Sequence, residues 1–285
     1  MTVVFCSVRM QKKRLAVVAG GWHFPLHFYE ALAKQEVPED WEVELHCVSH
    51  RAPSFSKEEK KEELAGLGWS HREALDKVLY RDFATIKGMA ALGWSYKEYP
   101  NTIGDWGMSN QWLDEHDYKA FDVFLFTHDD NLILTDQMFV DLLGKDSTWL
   151  ILSNSTGNAQ RRLRQWLHLP KPPHLRGSFE FFKREMLDII GGKFDLSETT
   201  LTRDGEVKTP DQFTALSNWG TTVFPLERLI DREGLRSRVE AISPYYRMSR
   251  YCLEGERGFI HSTNISNTAE EERGLRKAVA RYGKA

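Results

Sequence analysis

Two apolar runs set the pattern of the chain. Leu15–Ala19 reads LAVVA, and Phe121–Phe126 reads FDVFLF. Continuous runs of this kind, short and rich in β-branched and aromatic residues, predict strands buried on both faces of a parallel sheet. Each run stops at a polar or glycine-rich signal. The first meets Gly20-Gly21 and then Trp22-His23-Phe24-Pro25; the second meets Thr127-His128-Asp129-Asp130-Asn131. Between and after them the spacing predicts a helix over 25–35, a strand over 41–48 ending at Ser49-His50-Arg51, and a helical arm over 56–92. A turn-rich loop over 99–107, a helix over 108–116, a helix over 135–143 and a strand over 149–152 follow. Further on come a strand over 177–182, a helix over 183–190 stopped by Gly191-Gly192, a helix over 223–233, a strand over 245–252 and a charged amphipathic helix over 268–282. Strands alternating with helices predict an α/β fold with a central, mostly parallel sheet.

At 285 residues, with 41% hydrophobic and 12% aromatic content, the chain fits one large domain, or one domain with an appendage, with a sizeable core. The net charge of −3 and pI near 6.4 give no general drive towards nucleic acid. Cys6, Cys47 and Cys252 lack metal spacing and read as reduced thiols, which suits the cytoplasm. No run approaches the ~20 apolar residues of a membrane span, and no signal peptide is expected. The basic stretch Arg161–Arg176, which includes Trp166, reads as a flexible loop, with peripheral membrane contact as the other reading of its charge.

Open α/β sheets bind ligands at the carboxyl ends of their strands. Three polar clusters fall at such ends. Gly20-Gly21 lets backbone N–H groups approach a ligand closely, though it is neither a dinucleotide fingerprint nor a P-loop. His50 and Arg51 offer an imidazole and a guanidinium for a base or a phosphate. His128, Asp129 and Asp130 gather oxygen and nitrogen donors suited to a divalent cation. Each cluster also reads as plain turn chemistry.

Taken in order, these pieces resemble the GT-A glycosyltransferases, in a family-2-like form, which move a sugar from a nucleotide-sugar donor. The resemblance is carried by LAVVAGG, by NTIGDWGMSNQW, by FLFTHDDN at the place of the family's Asp-x-Asp motif, and by RGSFEFFKREMLDIIGGKFD. It implies a GT-A-like (Rossmann-like) fold. In it 14–120 forms the nucleotide half, with a helical insertion at 55–92; 121–265 forms the metal and acceptor half; and 266–285 is a C-terminal helix. It implies Mn²⁺ or Mg²⁺ held by Asp130, His128 and His261, a UDP- or GDP-sugar donor, and a glycan, glycolipid or other hydroxyl acceptor. Ala19, Gly20, Ser49, Arg51, Asp105 and Asp129 stand where the family holds the nucleotide, and Arg257 is a further candidate for the phosphates. The Glu-Asp pair that often supplies the family's general base is missing after Gly191-Gly192, so Asp195, Glu198 and Glu180 are the carboxylates available for that role. Two other readings use the same residues: a metal-dependent hydrolase or nucleotidyltransferase, and a non-catalytic nucleotide-sugar-binding protein.

Overall fold

The computed structural model describes residues 11–53, 78–100, 104–151, 179–194, 232–242, 252–253 and 280. In chain order its elements are β1 (Lys13–Gly20), α1 (Leu26–Ala33), β2 (Trp41–Ser49), α2 (Ile86–Ala91), β3 (Trp94–Glu98), α3 (Gly104–Glu115), β4 (Val123–His128) and β5 (Leu132–Ile133). There follow α4 (Met138–Leu143), β6 (Trp149–Ile151), β7 (Phe179–Lys183), α5 (Arg184–Ile189), β8 (Val239–Ala241) and β9 (Cys252–Leu253). Among the described residues, seven strands form one sheet in the order β3-β2-β1-β4-β7-β6-β8, and β5 pairs with β9 apart from it. Every pairing in the large sheet is parallel except those made by β7, which runs against both β4 and β6.

The expected α/β class, a mostly parallel sheet with helices on its faces, is therefore the one observed. The alternation within each buried run explains why. Leu15, Val17 and Ala19 of β1, Val123 and Leu125 of β4, and Phe179 and Phe181 of β7 face a layer holding Phe28, Met89, Met138, Phe139 and Leu142. Ala16, Val18, Phe124, Phe126 and Phe182 face the opposite layer with Met108, Trp112, Met186 and Leu187. No strand of this central group has a wet face, and the sequence accordingly has no polar alternation there.

Most expected elements appear with shifted ends. Helix α3 begins at Gly104, inside the stretch expected to be a loop. Helix α4 begins at Met138 rather than Thr135, because the Gln35 side chain accepts a hydrogen bond from the Met138 N–H (2.9 Å) and donates to the Thr135 carbonyl (2.6 Å). The edge strand β3 was not expected. The stretches 223–231, 245–251 and 268–279, and most of the proposed arm at 56–92, lie outside the described residues. Among the described residues no helix is long and apolar enough to cross a membrane.

Candidate functional site at the carboxyl edge

The chain passes outward from β1 to β2 and β3, then returns through α3 to place β4 on the other side of β1. The reversal makes the boundary between β1 and β4 the topological switch point, and the crevice outside such a point is where open α/β sheets take their ligands. Gly20 pairs with His128 on one flank and with Val48 on the other, so the ends of β1, β2 and β4 lie level.

The loop after β1 is tightly built. Gly21 donates its N–H to the Val48 carbonyl (2.8 Å). A Cβ at Gly21 would stand 2.8 Å from the Phe24 ring and 2.9 Å from Cys47 Sγ, so glycine is needed for packing. Phe24 has φ of 51°, in the left-handed region that a bulky residue rarely enters. What holds it there comes from the turn after β4. Asp129 Oδ2 accepts from the backbone N–H groups of Trp22 (2.9 Å), His23 (3.0 Å) and Phe24 (2.6 Å), and from the Tyr29 hydroxyl (3.3 Å). The Asp129 N–H in turn donates to the Gly20 carbonyl (3.1 Å).

Outside this anchor stands Trp22, 43% exposed. The Arg51 guanidinium lies over its indole, 4.0 Å from the ring centre, and Arg51 Nη2 donates to the Trp22 carbonyl. The His50 ring is 4.8 Å from the same indole at a tilt of 47°. Ser49, fully buried, steadies this corner: its hydroxyl lies 2.7 Å from the Gly21 carbonyl and 2.8 Å from that of Arg51. The Tyr96 hydroxyl donates to the Arg51 carbonyl as well (2.9 Å).

The nucleotide-binding residues expected from the sequence thus divide. Arg51 and Gly20 lie at the edge. Ala19 is buried in the core, so only its backbone is near the edge. Ser49 and Asp129 spend their polar atoms on the loops that shape the edge. Asp105 lies in the first turn of α3. For a cation, His128 ends β4, and Asp130 follows Asp129 in the turn, both half-buried. Among the described residues, no three His, Cys, Asp or Glu groups gather as a cation site. Of the expected cation donors, His128 and Asp130 stand at this edge and Asp129 is engaged with the loop after β1; His261, like Asp195, Glu198 and Arg257, lies outside the described residues. Glu180 pairs with Phe126 near the start of β7 and is fully buried. Tyr29 is a participant that sequence reasoning missed, because nothing local to α1 marks a contact to a residue a hundred positions later.

No protein-family model matches the chain, and no curated protein matches it. Solved structures to which it is similar include residues 1–349 of TarS from S. aureus in complex with UDP, at 12% identity and a TM-score of 0.42, covering 93% of this chain and 64% of that one. They also include glucosyl-3-phosphoglycerate synthase from Mycobacterium tuberculosis in complex with Mn²⁺, UDP-glucose and glycerol 3-phosphate, at 12% identity and a TM-score of 0.42, covering 96% and 81%. The glycosyltransferase GlyE of Streptococcus pneumoniae is similar at 10% identity and a TM-score of 0.34, covering 81% and 45%. The chain spans about 64% of the TarS chain it matches. Likeness at this level fixes no substrate.

Proposed function

We propose that the chain is a glycosyltransferase that binds a nucleotide-sugar donor across the crevice between β1 and β4 and passes its sugar to a hydroxyl acceptor. The observation that supports this best is the exposed Trp22 indole beside the Arg51 guanidinium at a strand-end crevice. An exposed ring accepts a planar base by stacking, and a guanidinium fork matches phosphate oxygens. Asp130 and His128 would hold Mn²⁺ or Mg²⁺, which, when bound, stabilises the charge developing on the departing diphosphate. In the transfer itself the acceptor oxygen bonds to the anomeric carbon. The bond from that carbon to the phosphate oxygen breaks, and the nucleoside diphosphate leaves with the electron pair. The acceptor proton goes to a carboxylate. Asp195 and Glu198 are the proposed bases; Glu180, enclosed within the sheet, suits the role less well. The donor is proposed to be a UDP- or GDP-sugar, the acceptor a glycan or glycolipid, and the setting the cytoplasm.

Thermal-shift measurements with UDP-, GDP-, CMP- and dTDP-sugars, each with and without Mn²⁺, test this reading. The expected result is stabilisation by one nucleotide class, strengthened by the metal and lost in Trp22→Ala. A response to metal alone would favour the hydrolase. Nucleotide-sugar binding with no transfer to any acceptor would favour the binding protein.

A further inference from the structure

Asp129 and Asp130 are neighbours in sequence with different surroundings. Asp129 is 1% exposed, and Asp130 is half-buried at the turn. An ionised carboxylate has about four lone-pair sites. Asp129 spends Oδ2 on the N–H groups of Trp22, His23 and Phe24 and the Tyr29 hydroxyl, and its Oδ1 lies 3.2 Å from the same His23 N. Three consecutive amides converging on one oxygen form an anion nest, here occupied by a side chain of the protein itself. A cation at this carboxylate would face the positive ends of those N–H dipoles, and displacing them would release Phe24 from its left-handed conformation. The first amide of the nest belongs to Trp22, whose ring and carbonyl both engage Arg51.

We propose that Asp129 is a positioning residue for the nucleotide and not a cation ligand: by seating residues 21–24 it presents the Trp22 ring and the Arg51 guanidinium to the ligand, while ligation from this acidic pair falls to Asp130. The part concerning the nucleotide rests on the glycosyltransferase reading; the anchoring of the loop does not. A sequence motif of adjacent carboxylates is thereby split between scaffolding and binding.

The test uses the full chain and four variants, Asp129→Asn, Asp130→Asn, Trp22→Ala and the Asp129→Asn/Trp22→Ala double. Amide hydrogen exchange is measured at residues 22–24 without ligand, and UDP affinity by calorimetry with and without Mn²⁺. Asp129→Asn is expected to speed exchange at those amides tenfold or more and to weaken UDP binding about tenfold. Trp22→Ala should weaken UDP to a similar degree without speeding exchange at 23 and 24. The double variant should bind no more weakly than the weaker single, since both act through one ring. The factor by which Mn²⁺ strengthens UDP binding should survive Asp129→Asn and vanish in Asp130→Asn. Additive losses in the double variant, or a Mn²⁺ effect lost in Asp129→Asn, would overturn the assignment. Should the wild type bind no nucleotide, the glycosyltransferase reading fails, and unchanged exchange at 22–24 in Asp129→Asn would overturn the anchor separately. If Asp129→Asn does not fold, Tyr29→Phe removes one donor at constant charge; it should weaken UDP about threefold and non-additively with Trp22→Ala, and additivity there counts against the proposal.

Discussion

The Tyr29 hydroxyl lies 3.3 Å from Cys47 Sγ and 3.3 Å from Asp129 Oδ2, linking α1, β2 and the turn after β4 beneath the carboxyl edge of the sheet. Burial pushes the Cys47 thiol up to about 12, with Asp129 adding to the shift and the Tyr29 contact opposing it. A thiol held protonated and covered is a poor nucleophile. Iodoacetamide at pH 8 is therefore expected to leave Cys47 unmodified in the native protein and to label it fully in urea. Peptide mapping by mass spectrometry reads the result, and labelling of the folded chain would contradict this packing.

Gly21 makes a second demand on the same corner. Its missing Cβ leaves room for the Phe24 ring and Cys47. Gly21→Ala forces one of them to move, and overpacking of a buried site costs about 1–3 kcal/mol. Because the displaced ring belongs to the loop carrying Trp22, nucleotide-induced stabilisation should fall as well. Urea denaturation and thermal shift on the same variant measure the two effects.

Gln35 predicts a loss of another kind. It is nearly buried and joins the end of α1 to the start of α4 by hydrogen bonds to Thr135 and Met138. Gln35→Leu fills similar space but strands the Met138 N–H and the Thr135 carbonyl. A buried group left unsatisfied costs about 1–3 kcal/mol. A urea midpoint unchanged from wild type would show that water replaces the amide.

Acid should weaken the fold before the carboxylates titrate. Burial lowers His27 to about 4, against the raising effect of its 3.1 Å hydrogen bond to the Ile133 carbonyl. Burial, with His116 next, lowers His46 to about 4. The 3.6 Å contact of His46 with Glu44 is accordingly not an ion pair at neutral pH. Groups with depressed folded pKa bind fewer protons in the native state. Their contribution is complete above about 6.5 and is lost as pH falls towards 4, by about 2 kcal/mol for each. Urea midpoints between pH 7 and 4.5 should decline, and His46→Gln should flatten the decline.

The sequence showed its sheet where burial was two-sided. LAVVA and FDVFLF are apolar on both faces, and both became central strands. Trp94–Glu98 was missed because β3 is an edge strand: Ser95, Lys97 and Glu98 are exposed and interrupt the apolar signal. The polar strand ends were legible in the residue types, and the fold brings three of them level at one edge. Their division of labour was not. Whether Asp129 or Asp130 faces a ligand depends on amides of Trp22, His23 and Phe24, more than a hundred residues earlier. Local sequence carries no trace of that partnership.

The reversed direction of β7 has a consequence for how such a protein can change. Ile151 at the end of β6 and Glu180 near the start of β7 pair with each other, level with Phe126 of β4. Both ends of the connection between them therefore stand at the edge where β1 and β4 also end. The connection's length and composition can be exchanged over generations without unthreading a single strand. Change confined to that connection leaves the corner built by Gly21, Trp22 and Asp129 as it is.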